Sequence, residues 1–154
     1  MDAPTGTDPT PLTFNRAAAV CIFYNGTICL GKRTLKCQLT GEPISFAGYW
    51  SPFGGTVEEG ENPMVAAVRE LEEETGIKIK ISDLTYMCEL DNDDSFTYIL
   101  YAYHVSELLF PKLNFEHTES GYFTVPSLIH SPTPMCPHLV DAIFSYEKRR
   151  WKED

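Results

Sequence analysis

The chain has 154 residues, 43% of them hydrophobic and 22% charged, with a formal net charge of −10. This composition suits a single soluble globular domain with a core of its own, and the charge argues against a broad phosphate-backbone footprint on nucleic acid or an anionic membrane. Cys21, Cys29, Cys37, Cys88 and Cys136 form no CxxC pair, so they read as reduced, mostly buried thiols rather than a zinc site or disulfide framework.

Residues 1–15, rich in Pro, Thr, Gly and Asp, read as a loose tail without the pattern of a secretory signal. No run of about 18 apolar residues is present to span a membrane. Residues 16–154 are therefore expected to form one cytoplasmic α+β domain. Ala17 to Tyr24 and Thr27 to Lys32 flank Asn25-Gly26, a strong hairpin signal. Thr34 to Gly48 reads as a long loop, and Tyr49 to Ser51 as a short strand ended by Pro52 and the Gly54-Gly55 pair. Asn62-Pro63 has the form of a helix start, and Gly76 stands where a C-cap glycine belongs. Between them, Met64, Val68, Leu71 and Thr75 share one stripe, the expected core seam. Strands follow over Leu84 to Leu90, Phe96 to Val105 and Gly121 to Val125, then a closing helix over His138 to Trp151. Asp91 to Asp94 lacks the glycine and terminal glutamate of a calcium loop and reads as a hairpin turn.

The helix between Asn62 and Gly76 carries an unusual concentration of charge. Gly55 to Ile77 holds seven glutamates and one arginine. On a helical wheel Glu70, Glu73 and Glu74 fall within about 100° of arc, centred away from the apolar seam. Glu70 and Glu74 repel as i,i+4 neighbours, and Arg69 can relieve Glu73 but cannot neutralise three carboxylates. A hard divalent cation such as Mg²⁺, often completed by substrate phosphates, can do so. A solvated acidic face is the plain alternative on composition alone.

The spacing decides between them. Gly55, Glu61 and the run Arg69-Glu70-Leu71-Glu72-Glu73-Glu74-Thr75-Gly76-Ile77 match Gly-x5-Glu-x7-Arg-Glu-U-x-Glu-Glu-x-Gly-U, where U is a bulky aliphatic residue. A chance match in a chain of this size is on the order of one in ten million. The stretch resembles the Nudix box at every specified position, while the hairpin ending in Lys32-Arg33 and Trp50 before Gly54-Gly55 resemble the family's lead-in. Pro52-Phe53-Gly54-Gly55 departs from the more usual Pro-Gly-Gly, so a different turn is expected there.

The resemblance implies the Nudix fold, an α/β/α sandwich with a central mixed β-sheet. It also implies Mg²⁺-dependent hydrolysis, with Mn²⁺ as an alternative ion, of a nucleoside diphosphate linked to another moiety such as a sugar, ADP-ribose or a second nucleotide. The alternatives are a house-cleaning nucleoside triphosphate pyrophosphohydrolase and, from another class, a non-catalytic nucleotide-binding regulatory module. By resemblance Glu70, Glu73 and Glu74 hold the metal, with the carbonyl of Gly54 or Gly55 as a further ligand. Arg69 orients them, Glu61 ties the loop to the helix, and Gly76 caps it. Glu116 or Glu119 is a general base or additional ligand from a distant loop, or a surface glutamate; His117 is structural or catalytic. Arg33 meets a substrate phosphate or is an ordinary strand-end cation, and Trp50 and Phe53 offer a base a stacking face or belong to the core. The partner expected is a small-molecule nucleotide, without membrane or extended nucleic-acid binding, and a homodimer is left open.

Overall fold

The Asn25-Gly26 hairpin forms as expected in the computed structural model of the chain, which describes residues 15–34, 48–92, 96–130 and 138–153. Asn25 and Gly26 both take positive φ, 48° and 80°, the condition for a two-residue turn matching the strand twist. They join β1 (Asn15–Tyr24) to β2 (Thr27–Arg33). Of the expected tail, only Asn15 is described. Residues 35–47, Asp93, Asp94, Cys37 and Cys136 also lie outside the described residues.

β1 and β2 pair only from Ile22↔Cys29 to the turn. Beyond that they part, and the next segment fills the gap. β3 (Trp50–Ser51) pairs with Gly31 and Lys32 of β2, while β4 (Phe53–Thr56) pairs with Ala17 to Val20 of β1. The Gly54-Gly55 pair is thus strand rather than turn, a correction to the sequence reading. A side chain on Gly54 would collide with the Ala18 carbonyl and with Ala19, and one on Gly55 with the Glu70 carboxyl. These glycines serve close approach, which local sequence does not distinguish from a turn signal.

The far edge of β1 pairs in parallel with β6 (Phe96–Val105), from Asn15↔Phe96 to Tyr24↔Val105. β6 is antiparallel to β5 (Thr85–Asn92), and β7 (His117–Thr124) is antiparallel to β2. Among the described residues the result is a seven-stranded mixed sheet. β7 begins four residues before the expected Gly121, because ladder pairing with β2 supports exposed polar positions that period-2 reading passes over.

β1 alternates its side chains between two cores. Ala19, Cys21 and Phe23 pack with Leu100, Leu139, Ile143 and Tyr146 under α2 (Leu139–Glu153). Ala18, Val20 and Ile22 pack with Phe53, Ala66, Ala67 and Leu71 under α1 (Pro63–Thr75). A helix on each face of a mixed sheet is the expected α/β/α sandwich. Asn62 caps α1 by accepting the Met64 N–H at 2.8 Å, and Gly76, at φ 76°, returns its N–H to the Glu72 carbonyl. Among the described residues no helix is long and apolar enough to cross a membrane.

Candidate metal centre

The seam of α1 is not quite the one its large apolar residues suggest. Ala66, Ala67, Leu71, Glu74 and Thr75 are the buried positions, while Met64 and Val68 lie at its margin. Ala67 and Glu74, seven apart, share nearly the same wheel position. The small Ala66 and Ala67 let the helix settle close to β4, and Glu74 goes down with them. The glutamate expected on an open face is fully buried.

There it meets two other carboxylates. Ligand oxygens of Glu70, Glu74 and Glu116 all lie within 4.8 Å of one another. Glu74 Oε1 accepts the Gly54 N–H at 3.2 Å, whereas Oε2 is sealed from solvent with no donor from the described residues. Burial first, then the carboxyls of Glu70 and Glu116, push the Glu74 pKa up to about 10. Burial and Glu70 raise that of Glu116 as well. Arg33, at the end of β2, opposes both shifts through its charge. His117 Nδ1 lies 3.9 Å from Glu74 Oε1, with its ring edge-on to Phe53 at 5.1 Å. Burial and Arg33 hold His117 near a pKa of about 4, so at neutral pH it brings no charge to the cluster.

Arg69 organises the rim. Its Nε and Nη2 grip both oxygens of Glu61 at 2.9 and 3.0 Å, and Nη2 also reaches the Thr56 carbonyl at 3.2 Å. Nη1 donates to Glu70 at 3.0 Å and to Glu73 at 3.3 Å. The guanidinium holds Glu61 down at about 2, helped by the Glu58 N–H. Glu61 therefore joins the loop before α1 to the helix. Glu73 is drawn to Arg69 with its side chain 53% exposed and is not among the three clustered carboxylates.

The remaining sequence candidates divide. Glu119 sits beside Lys32 on the sheet at 3.8 Å, its side chain 60% exposed, away from the cluster. Trp50 is buried in the α2-side core against Phe123, and Phe53 is buried in the α1-side core behind His117. Gly54 and Gly55 both abut the carboxylates, through the hydrogen bond to Glu74 and the seat under Glu70. Asn114, not singled out from the sequence, binds both α1 and Glu116. Its signal is an Asx residue two positions before the glutamate it serves.

Three converging carboxylates, one with a buried oxygen lacking a donor, are costly unless a cation joins them. The hard oxygen donors fit Mg²⁺ or Mn²⁺ and would not favour a soft ion. Fold and site thus define an α/β/α sandwich built around a carboxylate centre suited to a divalent metal. The family model described as NUDIX domain matches residues 14–141, and the chain belongs to the Nudix hydrolase family.

Over 39 residues it is 51% identical to an octanoyltransferase of Myxococcus xanthus, covering 25% of this chain and 11% of that protein. Over 68 residues it is 37% identical to an RNA pyrophosphohydrolase of Bartonella quintana, covering 44% of this chain and 38% of that protein. The chain spans well under half the length of the curated relatives it matches. The crystal structure of a MutT Nudix hydrolase from Burkholderia pseudomallei superposes with a TM-score of 0.67 at 25% identity, covering 83% of this chain and 94% of that one.

Proposed function

We propose that the protein is a divalent-metal-dependent pyrophosphohydrolase that cleaves a nucleoside diphosphate linked to another moiety. The observation that supports this best is the convergence of Glu70, Glu74 and Glu116 around the buried, donorless Oε2 of Glu74. These three carboxylates would hold Mg²⁺, with the Gly54 or Gly55 carbonyl as a further ligand and Glu73 at the rim. When bound, the ion supplies positive charge to phosphate oxygens and makes water a usable nucleophile near neutral pH.

The chain's own groups do the rest. Gly54 N–H and Arg69 fix Glu74 and Glu70, so their oxygens need not reorganise during the reaction. Arg33 meets a phosphate of the substrate. The Glu116 carboxyl accepts no hydrogen bond from the described residues and keeps an oxygen for the proton of the attacking water. Water adds to phosphorus, the P–O–P bridge breaks, and the leaving phosphate oxygen takes the bonding pair.

The test is product analysis over a panel of nucleotide sugars, ADP-ribose, dinucleotides, nucleoside triphosphates and 5′-triphosphate RNA, with Mg²⁺. The RNA belongs in the panel because of the name of the Bartonella quintana relative. Two monophosphate-bearing halves are expected. Pyrophosphate plus a monophosphate would favour a triphosphate substrate. Tight binding without turnover, in either ion, would point to a regulatory module. The cytoplasm, a small-molecule nucleotide partner and a single domain over residues 16–154 belong to the same proposal.

A further inference from the structure

The last four carbonyls of an α-helix have no partner within it. In α1 these belong to Glu72, Glu73, Glu74 and Thr75. Gly76 N–H takes the first, and the other three are taken by one distant segment. Lys112 N–H donates to the Thr75 carbonyl at 2.9 Å and Asn114 N–H to that of Glu74 at 3.3 Å. Asn114 Nδ2 donates to that of Glu73 at 3.1 Å, while Oδ1 of the same amide accepts the Glu116 N–H at 2.8 Å. With a carbonyl at one end and an N–H at the other, the amide has a single satisfying orientation.

We infer that Asn114 is a positioning residue for the metal centre. It ties the backbone of Glu116 to the end of the helix that carries Glu70 and Glu74, and so sets where the loop carboxylate meets the helix carboxylates. Tyr122 anchors the same loop farther back, its hydroxyl donating to the Leu109 carbonyl at 2.7 Å and accepting the Leu109 N–H at 3.2 Å. Thr34 N–H donates to the Glu116 carbonyl at 3.0 Å and ties that residue to the end of β2, whereas the Asn114 amide joins it to α1 and the Tyr122 fastening lies well before it. The inference rests on Glu116 belonging to the donor set.

Mn²⁺ binding without substrate, followed by loss of the free-ion EPR signal, tests it together with the Tm of each variant. Asn114→Ala is expected to weaken Mn²⁺ binding about tenfold, as for groups that orient a metal ligand. In a Glu116→Gln background the same change should add less than about twofold, because its effect passes through a carboxylate already neutralised. Tyr122→Phe should lower Tm and leave Mn²⁺ affinity within about twofold. If Asn114→Ala unfolds the protein, Asn114→Ser keeps an acceptor for the Glu116 N–H and serves in the same cycle, with a loss of about threefold expected. Full multiplication of the two single losses would overturn the inference, as would unchanged binding in the Asn114 variant where Glu116→Gln weakens it. Unchanged binding in Glu116→Gln would instead remove the donor-set reading, and the inference with it.

Discussion

Glu74 shows how one side chain can serve the site at the expense of the fold. Its carboxyl is buried beside two others, which holds it in the protonated form until a cation arrives to favour the ionised one. Glu74→Gln keeps the shape and removes the charge. Turnover should fall by more than the ~10–100-fold typical of residues that merely support a ligand. In chelator at pH 8 the variant should unfold at least as late in urea as the parent, yet gain little from added Mg²⁺. A variant that unfolds much earlier even without metal would mean that Glu74 is principally structural. The neighbouring glycines separate the same two roles. Gly54→Ala drives a methyl into the β1 backbone, which cannot yield, so loss of fold is expected, read as a collapsed thermal transition. The nearest atoms to a methyl at Gly55 are those of the Glu70 carboxyl, the end of a side chain rather than backbone, so in Gly55→Ala the transition should persist while Mn²⁺ affinity drops. Similar losses of both properties in the two variants would argue against this division.

At the level of elements, the sequence carried α1 well and the path into it poorly. Asn62, Pro63 and Gly76 mark the helix ends by chemistry that acts within a few residues. Asn62→Ala should accordingly cost about 1 kcal/mol of stability, measurable as a lower urea midpoint at unchanged Mn²⁺ affinity. A loss of affinity without loss of stability would put Asn62 at the site instead. Gly54-Gly55 misled because the demand for glycine comes from β1 and Glu70, neither adjacent in sequence. The burial of Glu74 was legible in principle from Ala67, seven residues earlier, but large apolar residues dominate a hydrophobic stripe and small ones do not. Glu116 could be named as a candidate, whereas its approach to Glu70 depends on β7, the Asn114 bonds and α1 being assembled together.

Across the whole molecule, two buried groups pull stability in opposite directions with pH. The pKa of His117 falls from 6.5 to about 4 on folding. Its stabilisation is therefore complete above 6.5 and lost as pH falls toward 4, since the unfolded chain takes up the proton first. Glu74 rises from 4.5 to about 10. Its contribution is complete below 4.5 and lost as pH rises toward 10, where the unfolded chain ionises and the folded site resists. The two oppose each other between 4.5 and 6.5, and above 6.5 Glu74 acts without that counterweight. In chelator the urea midpoint should decline from pH 6.5 to 9. Saturating Mg²⁺ should flatten the decline by favouring the ionised form, and Glu74→Gln should remove much of it. A midpoint that rises steadily through pH 9 without metal would contradict the assignment.

The parallel pairing of β1 with β6 has a consequence for how the protein is made. Partners along that ladder are 81 positions apart throughout, from Asn15↔Phe96 to Tyr24↔Val105, and Glu116 lies beyond the end of it. During synthesis the glutamate helix leaves the ribosome long before the strand that completes the sheet beside β1, and before the loop that completes the carboxylate cluster. A nascent chain stopped short of residue 116 holds the conspicuous acidic motif but lacks one of the three clustered carboxylates. Such distant pairing also places the fold among slower-forming topologies. Tight uptake of the ion would therefore come late, acting as a seal on a finished molecule rather than as a template for an emerging one.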